Sequence, residues 1–133
     1  MAEHALLFTD LVDSTAVVER LGDARAASVF AEHDRSARAL LACHGGREID
    51  HSDGFFLLFA DVVAAASFAL AYHEALAALG LSSRAGVHVG PVTLRENDPE
   101  EVARGAKQVE VEGIAKPLAA RVMSLARGGQ TLL

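Results

Sequence analysis

The sequence predicts an α+β domain, a mostly antiparallel sheet with helices packed on it, laid out on a split β-α-β plan. Three observations predict it. Short apolar runs bounded by turn residues alternate with longer helical stripes. An Asp-Gly pair at 53–54 joins two such runs at hairpin distance. The 133 residues, 51% hydrophobic and 23% charged, suit one globular domain with its own core and are too few for two.

The segment His4–Val12 (HALLFTDLV) is short, apolar and flanked by polar residues, which reads as a buried strand ending at or just after Asp10. Asp13, Ser14 and Thr15 offer N-cap chemistry for a helix over Ala16–Leu21, broken by Gly22. Ala24–Cys43 carries Val29, Phe30, Ala37, Leu40 and Leu41 at helical spacing, and Gly45-Gly46 ends it by supplying positive φ. Arg47–His51 and Gly54–Phe59 form a hairpin across Ser52-Asp53-Gly54, where Asp-Gly suits a left-handed turn. Alanine-rich Val62–Leu79 is a long helix stopped by Gly80. Ser83–Val89 and Val92–Leu94 read as two strands with a turn at Gly90-Pro91, and Asn97-Asp98-Pro99 reads as a surface loop. Glu112–Ala126 is the last helix and Gln130–Leu133 a closing strand. This β-α-β-β-α-β order is that of a ferredoxin-like sandwich with helices over one face of the sheet. The chain stops inside a strand, so the expectation is a fragment of a longer domain.

Charge narrows the function. Twelve basic residues, only two of them lysine, face 18 acidic ones for a net charge of −6, which argues against a general nucleic-acid-binding role. A chain this acidic needs metal ions or well-placed arginines to handle anionic substrates. No apolar run approaches the roughly 20 residues that span a bilayer, and no export signal opens the chain. The single Cys43 has no partner for an internal disulfide, which fits a reducing cytoplasm, and its place at a helix end suggests a small buried side chain.

Two carboxylates stand out. Asp10 ends the first strand and Asp53 sits at the hairpin tip, and in a split β-α-β sheet that strand pairs beside the hairpin. Carboxylates brought close repel unless a cation lies between them, and Mg2+ or Mn2+ suits hard oxygen ligands beside phosphate. The plainer alternative is a solvated strand end and an ordinary turn former. Arg121, within the last helix, is either a phosphate clamp or a surface arginine. His33, His44 and His73 lie on helices without shared ligand spacing, and His88 reads as a sheet histidine. Walker-type loops, nucleophile elbows and paired Cys/His zinc spacing do not occur.

Five blocks in order, LLFTDLVDST at 6–15, HGGREID at 44–50, DGFFLLF at 53–59, RAGVHVG at 84–90 and AARVMSLARGGQTLL at 119–133, together resemble the class III nucleotidyl (adenylyl/guanylyl) cyclase catalytic domain. The resemblance spans nearly all of residues 1–133, with the family's C-terminal strands and a triphosphate-gripping lysine falling beyond Leu133. It implies conversion of a purine nucleoside triphosphate to a 3′,5′-cyclic monophosphate and pyrophosphate. In that family two subunits pair head to tail and share each active site. Asp10 and Asp53 match the aspartates holding two Mg2+ or Mn2+ ions: one ion activates the ribose 3′-hydroxyl for in-line attack and the other steadies the triphosphate. Arg121, from the partner subunit, matches the arginine that contacts phosphate in the transition state. Asp50 and Glu110 fall at the positions that read the purine.

The chain also departs from the pattern. Ser52 replaces the glycine before the second metal aspartate, and the stretch from Arg47-Glu48 to Asp53 is one residue short. Pro117 stands where an asparagine should orient the ribose, and proline offers no side-chain hydrogen bond. A degenerate member is one reading of these departures. Two functions follow: a cyclase of weak activity, or a non-catalytic cyclase-homology module that acts through dimerisation or nucleotide binding. A cyclic-dinucleotide synthase on the same sheet plan ranks below both, since its acidic hairpin signature is missing.

Overall fold

The computed structural model describes residues 2–133. The strands are β1 (Ala2–Leu11), β2 (Arg47–His51), β3 (Phe55–Phe59), β4 (Ser83–Glu96), β5 (Val109–Glu112) and β6 (Thr131–Leu132). The helices are α1 (Ser14–Leu21), α2 (Asp23–Cys43), α3 (Val62–Ala78), α4 (Pro99–Ala103) and α5 (Ala115–Ser124). The strand order is β2-β3-β1-β4-β5 with β6 beside β4; every pairing is antiparallel except β4 with β6. The α+β sandwich expected from the sequence is therefore the fold observed.

Alternation along the central strands divides the core in two. Ala5 and Leu7 of β1, with Phe55, Leu57 and Phe59 of β3, face α2 and α3 and meet Ala37, Leu41, Phe68 and Tyr72. Leu6 of β1, with Phe56 and Leu58 of β3, faces the other way onto Val92, Val109, Val111, Ala115 and Ala119. All five β3 residues are buried, which accounts for the unbroken GFFLLF run. Helices thus cover both faces, and not one as the sequence suggested: α5 lies opposite α1–α3. Gly86 lets α5 come that close, since a Cβ there would stand 2.2 Å from the Met123 backbone nitrogen.

Several local expectations change. Gly90-Pro91 is not a turn; β4 runs straight through it, with Pro91 opposite Glu3 of β1. β6 pairs only with Ala85 and Gly86, and β5 pairs only from Thr93. Between them β4 has no second strand among the described residues, so a position lacking an N–H is tolerated. Residues 109–112 form β5, and α5 starts only after Gly113, whose φ of 136° no helix continues. Asp13 precedes α1 in the left-handed region (φ 52°) without a side-chain cap bond. Cys43 is exposed at the end of α2, because the buried stripe of Ala26, His33, Ala37 and Leu41 lies on another side of the helix.

Candidate active site

The C-terminal end of β1 and the tip of the β2–β3 hairpin meet. His51 pairs with Phe55 across the three-residue loop 52–54, and the Ser52 N–H donates to the Gly54 carbonyl at 3.0 Å. Positive φ is not what this loop requires: neither Asp53 nor Gly54 has it. Gly54 is required by contact. A Cβ there would lie 1.8 Å from the Thr9 carbonyl oxygen and 3.1 Å from the Asp10 Cα. The Phe55 N–H donates to the Thr9 hydroxyl at 2.9 Å, which fixes the seat.

This seat brings the two aspartates to one edge. Asp10 lines a cleft of about 210 Å3 together with Asp50, Ser52 and Phe56. Asp53 lines a neighbouring cleft of about 300 Å3 with Ser14, Thr15, His33, Asp34 and His51, and Ser52 borders both. The Asp10 carboxylate accepts from the guanidinium of Arg84, its register partner on β4, and each side chain is 32% exposed. Arg84 also donates to the Ser124 carbonyl at the end of α5 (3.3 Å). Nothing in the spacing of the sequence marked Arg84; only the β1–β4 register places this cation against Asp10.

Among the described residues no three His, Cys, Asp or Glu side chains cluster as a ready-made cage. Two carboxylates at one edge still suit Mg2+ or Mn2+, since such ions keep waters and take phosphate oxygens for the rest of their coordination. The donor chemistry therefore fits the group expected from the sequence.

Asp50 and Glu110 also come together, although β2 and β5 are opposite ends of the strand order. A register shift between Glu48 and Asp50 bends β2, and Arg47 reaches Glu96 at the far end of β4 (3.7 Å). Lys107 stands between the two acids, its ammonium 3.2 Å from Asp50 and 3.9 Å from Glu110. The sequence reading did not single out this lysine.

Pro117 occupies the first turn of α5, where backbone N–H groups need no intrahelical acceptor, so the helix forms despite it. Four residues on, Arg121 lies on the same side of the helix and is exposed. It makes no ion pair with Asp10 or Asp53 among the described residues.

Behind the edge runs a buried polar chain. His33, 2% exposed, meets the Tyr72 hydroxyl at 2.6 Å and Asp34 at 2.8 Å. Asp34 also lies 3.5 Å from His51, whose ring stacks on Phe55. Burial pushes the Tyr72 hydroxyl up to about 12, moderated by the Ser83 and Thr9 hydroxyls beside it. Burial likewise lowers His33 below the usual histidine range, against the pull of Asp34. The chain ties α2 and α3 to Thr9 and so to the hairpin seat. A histidine inside a helical apolar stripe was the available sequence signal.

No protein-family model matches this chain, and no curated protein sequence does. Solved structures do. An adenylate cyclase structure from Trypanosoma brucei, determined in the monomeric state, superposes with a TM-score of 0.82 at 22% identity, over 99% of this chain and 72% of its own. The chain has the nucleotidyl cyclase fold. The adenylyl cyclase CyaB of P. aeruginosa gives a TM-score of 0.85 at 18% identity, over 98% of this chain and 76% of its own. The guanylate cyclase domain of RhGC from Catenaria anguillulae, solved with GTP, gives 0.82 at 16% identity, over 98% and 78%. This cyclase fold is shared by adenylyl and guanylyl enzymes, so the fold leaves the purine open. No helix of the described residues is long and apolar enough to cross a membrane.

Proposed function

We propose that this chain is a nucleotidyl cyclase-like signalling domain that converts a purine nucleoside triphosphate to a 3′,5′-cyclic monophosphate and pyrophosphate. The observation that carries the reading is the seat of Gly54 on Thr9, which delivers Asp53 to the strand end bearing Asp10, on a cyclase fold. Asp10 and Asp53 are the residues that would hold two Mg2+ or Mn2+ ions. Such ions, when bound, would supply Lewis acidity at the ribose 3′-hydroxyl and offset triphosphate charge.

The chain's own groups do the rest. The Arg121 guanidinium meets phosphate oxygens as charge spreads over them, supplied from the partner of a head-to-tail homodimer. The exposure of Arg121 and its lack of an acidic partner among the described residues support that assignment. Asp50 and Glu110 accept hydrogen bonds from the purine edge. Arg84, a cation already at the Asp10 edge, can turn to an anionic group that enters there. The cytoplasm is the compartment that suits such a domain.

Pro117 favours a second reading, a non-catalytic module that keeps dimerisation or nucleotide binding. It lies one turn before Arg121 and offers nothing to the ribose. Incubation with Mn2+ and ATP or GTP, read out as cyclic nucleotide and pyrophosphate, separates the two. Product with either nucleotide supports the enzyme. Metal-dependent nucleotide binding with no product from either removes the enzyme and leaves the module.

A further inference from the structure

We propose that the Tyr72 hydroxyl, carried by α3 behind the site, is the positioning group that sets where Asp10 and Asp53 stand. The inference rests on the metal-site reading above and adds a residue to it. Among the described residues the other buried polar side chains are Thr9, His33 and Ser83, and all three gather at that hydroxyl. The surroundings are apolar: Phe55, Phe59, Phe68 and Leu76 belong to the same core. A ring in this place packs as well without its oxygen, so the core has no need of the hydroxyl. Burying polar groups here costs free energy unless each finds a partner, and a partnered set gives only a modest net gain.

What the hydroxyl adds is direction, because its neighbours lie one residue from the groups that build the edge. Thr9 precedes Asp10, and its hydroxyl accepts from the Phe55 N–H at 2.9 Å, two residues after Asp53. Ser83 precedes Arg84, and its hydroxyl donates to the Asp10 carbonyl at 3.1 Å or the Arg84 carbonyl at 2.9 Å.

The hydrogens follow from the acceptor at the far end. Asp34, ionised, only accepts, so His33 Nδ1 carries the hydrogen of their 2.8 Å bond. A neutral ring then leaves Nε2 to accept from the Tyr72 hydroxyl at 2.6 Å. The Tyr72 oxygen is free to accept from the Thr9 hydroxyl beside it, whose own oxygen is taken by Phe55. One donor sequence therefore runs from Phe55 through Thr9, Tyr72 and His33 to Asp34, and each bond polarises the next. It holds the Thr9 side chain in one rotamer, and Thr9 seats the hairpin through its hydroxyl and through the carbonyl that faces Gly54. No buried side-chain nitrogen or oxygen among the described residues lacks a partner, so deleting the Tyr72 oxygen orphans His33 Nε2 and frees Thr9 to turn.

Tyr72→Phe keeps the ring and removes the junction. In the metal-free chain, amide hydrogen exchange at Phe55 should quicken about tenfold, the worth of one hydrogen bond, while β5 amides keep their native rates. Mn2+ titration by electron paramagnetic resonance should show affinity about tenfold weaker, as loss of an outer hydrogen-bond partner does at metal sites. Thr9→Val should weaken Mn2+ at least as much, and the double variant should lose no more than Thr9→Val alone, since both break one sequence. Leu76→Val, an apolar change one turn along α3 in the same core, is the control: it should melt lower yet keep native Mn2+ affinity and Phe55 exchange. His33→Gln, whose amide oxygen accepts in place of Nε2, should stay near native affinity, where His33→Leu should fall about tenfold. Native Mn2+ affinity and Phe55 exchange in Tyr72→Phe would overturn the inference, as would losses that add in the double variant or an equal Mn2+ loss in Leu76→Val. Should Tyr72→Phe not fold, the two His33 variants decide, and equal affinities in that pair overturn the inference. All of these leave Asp10 and Asp53 as ligands. A native chain with no Mn2+ binding that Asp10→Asn removes defeats the metal-site reading and this inference with it.

Discussion

Replacing Gly54 by alanine puts the largest demand on the smallest atom. The new methyl would sit 1.8 Å from the Thr9 carbonyl oxygen and 2.6 Å from the Thr9 carbonyl carbon, both of them backbone. Carbon and oxygen need a little over 3 Å, so the hairpin tip and the end of β1 must part by more than about 1 Å, because no flexible side chain is there to yield. Overpacking of this kind costs about 1–3 kcal/mol. In a domain of this length that lowers the melting temperature by roughly 3–15 °C. The same displacement separates Asp53 from Asp10, and a 1 Å misplacement at a reacting centre costs about 10²-fold. Gly54→Ala should therefore lose Mn2+ affinity and nearly all cyclase product, beyond what its lost stability explains. Gly45→Ala is the control. Gly45 has φ 67° with nothing within 4 Å of its would-be Cβ, so alanine there carries only the left-handed backbone penalty of about 1–2 kcal/mol. It should melt lower yet bind Mn2+ as the native chain does. Differential scanning fluorimetry with Mn2+ titration by electron paramagnetic resonance reads both quantities. A Gly54→Ala chain that melts within a degree of the native protein and binds Mn2+ equally refutes the contact argument.

Three further outcomes are expected. Asp10→Asn should weaken Mn2+ binding about tenfold or more at a stability cost under about 1 kcal/mol, since its ion pair with Arg84 is partly exposed; unaltered metal affinity removes Asp10 from the site. Pro117→Asn should raise cyclic-nucleotide output by up to about 10²-fold, the value of one oriented donor in a transition state, and no gain counts against Pro117 as the ribose-orienting position. Stability should fall on both sides of neutrality, as pH-dependent denaturant titrations can show. Burial lowers His33 and His73 below 6.5, so the unfolded chain binds more protons as pH drops through that value and stability declines until the folded groups also protonate. Tyr72, raised to about 12, holds its proton in the fold while the unfolded phenol loses it from about 10, so stability also declines between those values. Tyr72→Phe should abolish the alkaline limb, and an unchanged limb assigns it elsewhere.

Periodicity and turn chemistry were legible wherever neighbours in sequence settle the matter. The α2 stripe, the β2–β3 hairpin and the Gly80 stop depend on contacts a few residues apart, and they stand close to where the chain's pattern puts them. The positions of Asp10 and Asp53 were legible too, because a split β-α-β plan has few ways to place its first strand beside its hairpin. Pairing choices made across the fold were not. Gly90-Pro91 has turn composition, but fourteen residues of β4 stay extended because β1 pairs along ten of them. β5 is four residues long and gains strand character only from β4.

The sequence by itself determined the fold class, the acidic character of the chain and the two strand ends that carry Asp10 and Asp53, since these follow from composition and local spacing. Tertiary structure alone decided that Arg84 pairs with Asp10, that Lys107 bridges Asp50 and Glu110, and that Gly54 is held by a carbonyl 45 residues earlier and not by its own turn. Those are long-range contacts, set by strand register and sheet curvature, and no local pattern encodes the distance between residues that meet only once the chain has folded.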